Sequence, residues 1–95
     1  MNTTFSIVLN MKTANGFESF ASFCIGNERE FADSLFSTLK GKRSVTEQDI
    51  LHMDLVEKIH ELPVNIKVIN CTLEDLATNC RTISKELFRI RNLEP

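Results

Sequence analysis

The sequence predicts an α+β domain of order ββαββα, in which a four-stranded antiparallel sheet carries two helices on one face. Three observations lead there: apolar alternation on both sides of Asn15-Gly16, a second alternating run over residues 63–70, and a helical stripe from Leu73 to Ile90. At 95 residues the chain is one domain, 1–95, with no room for a second core. Hydrophobic residues make up 42% and charged residues 25%, the balance of a globular chain rather than a disordered one.

Over residues 3–12, Phe5, Ile7, Leu9 and Met11 alternate with Thr4, Ser6, Asn10 and Lys12, interrupted only by Val8, which is the period of a strand. Asn15-Gly16 is the strongest short hairpin signal, because a type I′ turn needs positive φ at both central positions. With those two residues in the turn, Met11 faces Phe20, Leu9 faces Ser22 and Ile7 faces Cys24. The other face then carries Val8, Ala21, Phe23 and Ile25. Apolar side chains on both faces suit a sheet with helices on one side and a partner chain on the other, so Val8, Phe23 and Ile25 are the predicted interface of a homo-oligomer, a dimer in its simplest form.

The first helix is expected to start at Asn27, an N-cap followed three residues later by Glu30, and to stop at Gly41 after Lys40. Residues 46–62 read two ways. Leu51, Leu55, Ile59 and Leu62 fit a helical stripe opened by Thr46 and Asp49, whereas Leu51, Met53, Leu55 and Ile59 alternate with His52, Asp54, Lys58 and His60 as in a strand. The strand is preferred, because the next run holds Val64, Ile66 and Val68 on one face and the link "HELP" has hairpin length. The last helix begins at Thr72, an N-cap with Asp75 at its third position. Leu73, Leu76, Ala77, Cys80, Ile83, Leu87 and Ile90 form its stripe, and it ends near Asn92 with Lys85, Arg89 and Arg91 in its C-terminal half.

The strings "LPVNIKVINCTLEDLATNCRTISKELF" and "GFESFASFCIGNEREFADSLFSTLKG" resemble a family of short uncharacterised bacterial proteins found chiefly in relatives of Bacteroides. The resemblance covers most of the chain and is carried by Phe17, Phe23, Ile25, Gly26, Asn27, Leu62, Pro63, Cys71, Thr72, Leu73, Leu76, Asn79, Cys80 and the "ISKELF" of Ile83 to Phe88. It implies a small α+β domain and a strand over residues 50–59. It implies no activity.

Function is less legible. Seven Phe without Trp or Tyr read as core filling, and a net charge of −2 exerts no pull toward nucleic acid or an anionic membrane. No secretory leader or spanning segment is apparent, so a cytoplasmic location is expected. Three cysteines without a C-x-x-C pair leave a disulfide framework and a zinc site without a signature. Cys71, at a strand end one residue before a helix N-cap, is the candidate nucleophile, with His52 its candidate base; Thr72, Asn79 and Arg81 would line a ligand pocket beside it. Cys80 and Cys24 read as small core residues.

His52, Asp54 and His60 suggest a metal, yet eight residues of strand separate the histidines by about 26 Å. They form a solvent-facing row, with His52 and Asp54 able to contribute to a site only across an oligomer interface. Lys40, Lys42 and Arg43 could touch phosphate, but they lack an aromatic platform and have Glu28, Glu30, Glu47 and Asp49 nearby in sequence. No phosphate loop, nucleophile elbow or H-E-x-x-H helix occurs. The expectation is a non-enzymatic interaction or regulatory domain, without cofactor or metal. A small enzyme or ligand binder at Cys71 is the alternative, and nucleic-acid binding through the Lys40, Lys42 and Arg43 loop a weaker one.

Overall fold

The computed structural model describes residues 3–44, 46 and 48–93. The predicted order is observed: β1 (Thr3–Thr13), β2 (Gly16–Gly26), α1 (Arg29–Ser37), β3 (Leu51–Ile59), β4 (Leu62–Asn70) and α2 (Leu73–Phe88), with a π-helical turn over Arg89–Leu93. The strands form one antiparallel sheet in the order β2-β1-β3-β4, so β1 and β3 are central. Residues 51–59 are a strand, as the alternation and the resemblance both indicated. Glu47, one of the acidic residues weighed against the basic loop, lies outside the described residues.

Period two sorts the central strands. Phe5, Ile7 and Leu9 of β1 share a face with Leu51, Met53 and Leu55 of β3, and nearly all of their surface is buried. Ala32, Leu35 and Phe36 of α1 and Ile83 of α2 join Phe5, Ile7, Leu9, Met53, Leu55 and Ile69 in one core, so both helices cover the same face. Charged contacts fix α1 in place: Arg29 pairs with Glu57 at 2.7 Å with its guanidinium over the Phe5 ring, and Asp33 faces Lys67 at 3.7 Å.

The first hairpin departs from the expected register. Ala14 and Asn15 make the turn, Gly16 pairs with Thr13 at φ +103°, and the Thr13 hydroxyl donates to Gly16 O while accepting from Asn15 N. Met11 therefore faces Glu18 rather than Phe20. Two bulges follow, at Phe20 and Ile25, and the pairs become Leu9 with Ala21 and Ile7 with Phe23. The cause lies in the phenylalanine spacing. Phe17, Phe20 and Phe23 recur every three residues, out of step with a period of two, and an extra residue at Phe20 brings Phe23 inward.

This overturns two placements. Phe23 and Ile25, expected on the outer face with Val8, pack into the helix-covered core, whereas Val8 does face outward. Cys24, expected beside Ile7 in the core, is exposed on the outer face opposite Ser6.

The N-cap of the first helix falls one residue later than Asn27, at Glu28, which makes no side-chain capping bond. It ends at Ser37, with Thr38 donating its hydroxyl to Leu35 O, so Gly41 is not its stop. Gly41 serves a close approach instead. A Cβ there would lie 2.7 Å from Asn70 O, where Lys42 and Asn70 exchange two backbone hydrogen bonds that lengthen the sheet beyond β4. The "HELP" link contracts to a two-residue turn, His60 and Glu61, both at positive φ as a type I′ turn requires.

The last helix starts as expected. The Thr72 hydroxyl accepts from Asp75 N, and the Asp75 carboxylate accepts from Thr72 N. One turn on, Asn79 is buried and its amide grips the loop after α1, accepting from Lys40 N and donating to Lys40 O, each at 2.8 Å. Asn79→Ala leaves both backbone groups without that partner and is expected to lower unfolding stability by about 2 kcal/mol in urea titrations, against no measurable change for the exposed Arg81→Ala.

Candidate functional site

The structure scatters the predicted thiol site. Cys71 follows β4 and its amide donates to Leu51 O, which leaves its thiol on the helix-covered side, partly buried against the core. Its Sγ lies 3.6 Å from Lys40 O and 3.6 Å from Asn79 Nδ2. Burial first, then the Asp75 carboxylate, push the thiol up to about 11, with the Asn79 amide acting weakly the other way. The helix N-terminus there is already occupied by its own capping carboxylate. Burial raises Cys80 as well.

His52 is no base for Cys71. It pairs with Asn70, one residue away, but its ring points through the other face and stacks on Phe17 with centroids 4.1 Å apart. The sheet lies between the two groups. Thr72 spends its hydroxyl on the helix cap, Asn79 spends its amide on Lys40, and Arg81 is exposed, so these three do not converge on a pocket. His60 sits in the β3–β4 turn, and among the described residues no three His, Cys, Asp or Glu side chains lie close enough to hold a metal ion.

What the fold does assemble is on the face without helices. Asp54 occupies the middle of β3 between Val8 of β1 and Val68 of β4. It is only 7% exposed although no helix covers it, because central-strand neighbours crowd it on both sides. Its Oδ2 accepts from Asn65 Nδ2 at 3.1 Å, while Oδ1 has no hydrogen-bond partner. His52 Nε2, also buried, has none either. Asp54 forms part of the wall of two shallow concavities, one of about 380 Å³ that also reaches Ser6, Val8, Val56 and Lys58, the other of about 320 Å³ beside His52 and Val68.

Burial holds the Asp54 carboxyl above the usual carboxylate range. Charge on His52 and the side chain of Asn10 pull the other way, although Asn10 makes no hydrogen bond of ordinary geometry to Oδ1. Asn10 is itself engaged by Ser19, whose hydroxyl donates to its Oδ1 at 2.6 Å. The face is thus a polar floor of small side chains with one incompletely paired carboxylate at its centre. Such a surface can receive a hydrogen-bond donor or a cation, and it offers no activated nucleophile.

Sequence reasoning read Asp54 as one of a solvent row and did not consider Asn65. Its burial comes from its place in the middle of a central strand, between Val8 and Val68. Comparisons with protein-family models, with curated proteins and with solved structures found no match. No helix among the described residues is long and apolar enough to cross a membrane.

Two outcomes follow for the titratable groups. Iodoacetamide at neutral pH is expected to alkylate the exposed Cys24 well before Cys71, whose rate should fall below that of a free thiol; peptide mapping of a time course reads both. For Asp54 the folded pKa is raised, so the folded state binds its proton more tightly than the unfolded chain. Its contribution to stability is fullest below the unfolded value of 3.8 and is lost as pH rises through the folded value. Asp54→Asn should remove that decline and gain roughly 1 kcal/mol at neutral pH, measured by urea unfolding at low protein concentration.

Proposed function

We propose that the chain is a non-enzymatic interaction domain that self-associates as a homodimer through the open face of its sheet. One observation carries the reading: α1 and α2 both lie on one face, and the other keeps a buried, incompletely paired carboxylate at its centre with no helix or strand of the described residues over it. Burying a carboxylate costs free energy unless partners satisfy it, so such a group marks a surface meant to be covered. The half-buried Val8 and Val68 supply apolar contact beside it, Val56 borders it with little of its own surface exposed, and Phe17 extends the patch toward the first hairpin. Val8 remains from the predicted interface, while Val56 and Val68 take the places of Phe23 and Ile25.

A thiol enzyme is disfavoured by the raised pKa of Cys71 and by the sheet between it and His52. Nucleic-acid binding through Lys40, Lys42 and Arg43 stays the weaker alternative, against a net charge of −2 and a loop whose Lys42 backbone is tied to Asn70.

Sedimentation velocity at rising micromolar concentration tests the proposal. The wild type is expected to shift from monomer to dimer, and Ser22→Arg, an exposed substitution on the open face, is expected to remain monomeric with an unchanged melting temperature. A wild type that stays monomeric throughout would refute self-association.

A further inference from the structure

Asp54, Val56 and Lys58 alternate along β3 onto the open face, facing Val8, Ser6 and Thr4 of β1 and Val68, Asn65 and Pro63 of β4. All three line the larger concavity. The acid and the base stand at equal distances on either side of Val56. They are separated by four residues, about 13 Å along a strand, which is too far for the two to meet within one chain when both stand up from the sheet. Among the described residues Lys58 has no carboxylate partner, and it is exposed.

Symmetry changes what that spacing means. In a two-fold dimer the same patch meets itself, so that if one residue contacts another, the reverse contact also forms. An axis lying between two stacked sheets, across the strands at Val56, sets Val56 against its own copy and sets each Asp54 opposite the other chain's Lys58. Face-packed sheets lie about 10 Å apart. A four-carbon lysine stem standing on one sheet bridges most of that gap, and a carboxylate on the other completes it.

Resting on the self-association proposed above, we infer that Lys58 of each copy enters the concavity of the other and donates to Asp54 Oδ1, giving two equivalent ion pairs about a two-fold axis at Val56. The pairing accounts for three separate features of the monomer. Asp54 has one oxygen bonded to Asn65 and one left over, Lys58 has no carboxylate partner among the described residues, and the concavity has room above Asp54. It also accounts for a carboxyl held above its usual range in the single chain, since the missing cation is the group that would lower it.

Charge exchange tests this. Lys58 is exposed, so Lys58→Asp is expected to leave folding intact by circular dichroism, yet it sets like charges opposite each other twice and should weaken the dimer at least about tenfold in sedimentation equilibrium. Asp54→Lys should do the same. An equimolar mixture of the two variants restores opposite charges at both contacts and should recover a heterodimer, seen in native mass spectrometry as a mixed species in excess over either homodimer. Should Asp54→Lys fail to fold by circular dichroism, Lys58→Asp set against Lys58→Arg gives the decision, with dimerisation lost in the first and kept in the second. A wild-type dimer that tolerates Lys58→Asp unchanged overturns the pairing alone. A monomeric wild type overturns both the pairing and the proposed function.

Discussion

A β-strand sends alternate side chains to opposite faces, so covering one face of a sheet leaves half the side chains of every strand to find another environment. Here both helices settle on one side. Phe5, Ile7 and Leu9 on β1 and Met53 and Leu55 on β3 are sealed beneath Ala32, Leu35, Phe36 and Ile83. Val8, Asp54 and Val56 belong by parity to the opposite side and no helix reaches them. Every other property of the molecule that bears on function descends from that one-sided arrangement. The protein has a closed side that holds it together and an open side that is chemically specific.

The closed side is tied at its ends by polar contacts rather than by more apolar area. Asn79 spans from α2 to the backbone of Lys40, and Gly41 lets the same loop pass against Asn70, where the sheet gains an extra rung through Lys42. Cys71 sits inside this junction, hydrogen-bonded to Lys40 O and Asn79, with its thiol held protonated by burial and a neighbouring carboxylate. A cysteine beside a helix N-terminus suggests reactivity from sequence spacing alone. Here the capping Asp75 fills that N-terminus with negative charge, and the thiol serves packing.

Much of the fold could be read from residue order because its signals are local. Alternation in β1, the Thr72 and Asp75 cap and the stripe of α2 each depend on neighbours within a few residues, and the structure contains them; in β4 a bulge at Ile66 turns Ile66 into the core and leaves Val68 on the open face, so Val64, Ile66 and Val68 do not share one side as their alternation predicts. The register of β2 depends on something less local. The hairpin signal at Asn15-Gly16 was present, but Thr13 closes the turn one residue earlier, and the threefold phenylalanine spacing then forces bulges that reverse the parity of Phe23 and Cys24. The faces of that strand were therefore assigned the wrong way round, and two of three interface residues with them. Asp54 was hidden for a related reason. Its burial comes from lying between β1 and β4, whose pairings with β3 join segments that are distant along the chain, and nothing in "HMDLVEK" taken alone distinguishes it from the exposed Lys58.

On this account Asp54 is the hinge between architecture and role: a carboxylate made unfavourable by the fold and made favourable again by what covers the open side. Its ionisation is then coupled to association, because a cation brought over Oδ1 stabilises the charged form. The most direct measurement is the carbon-13 carboxyl titration of Asp54 followed by NMR at protein concentrations below and above the association range. The apparent pKa is expected to fall as concentration rises, from above the ordinary carboxylate range toward or below it. A titration curve unchanged across a demonstrated shift from monomer to dimer would contradict the claim that the open face closes over this residue.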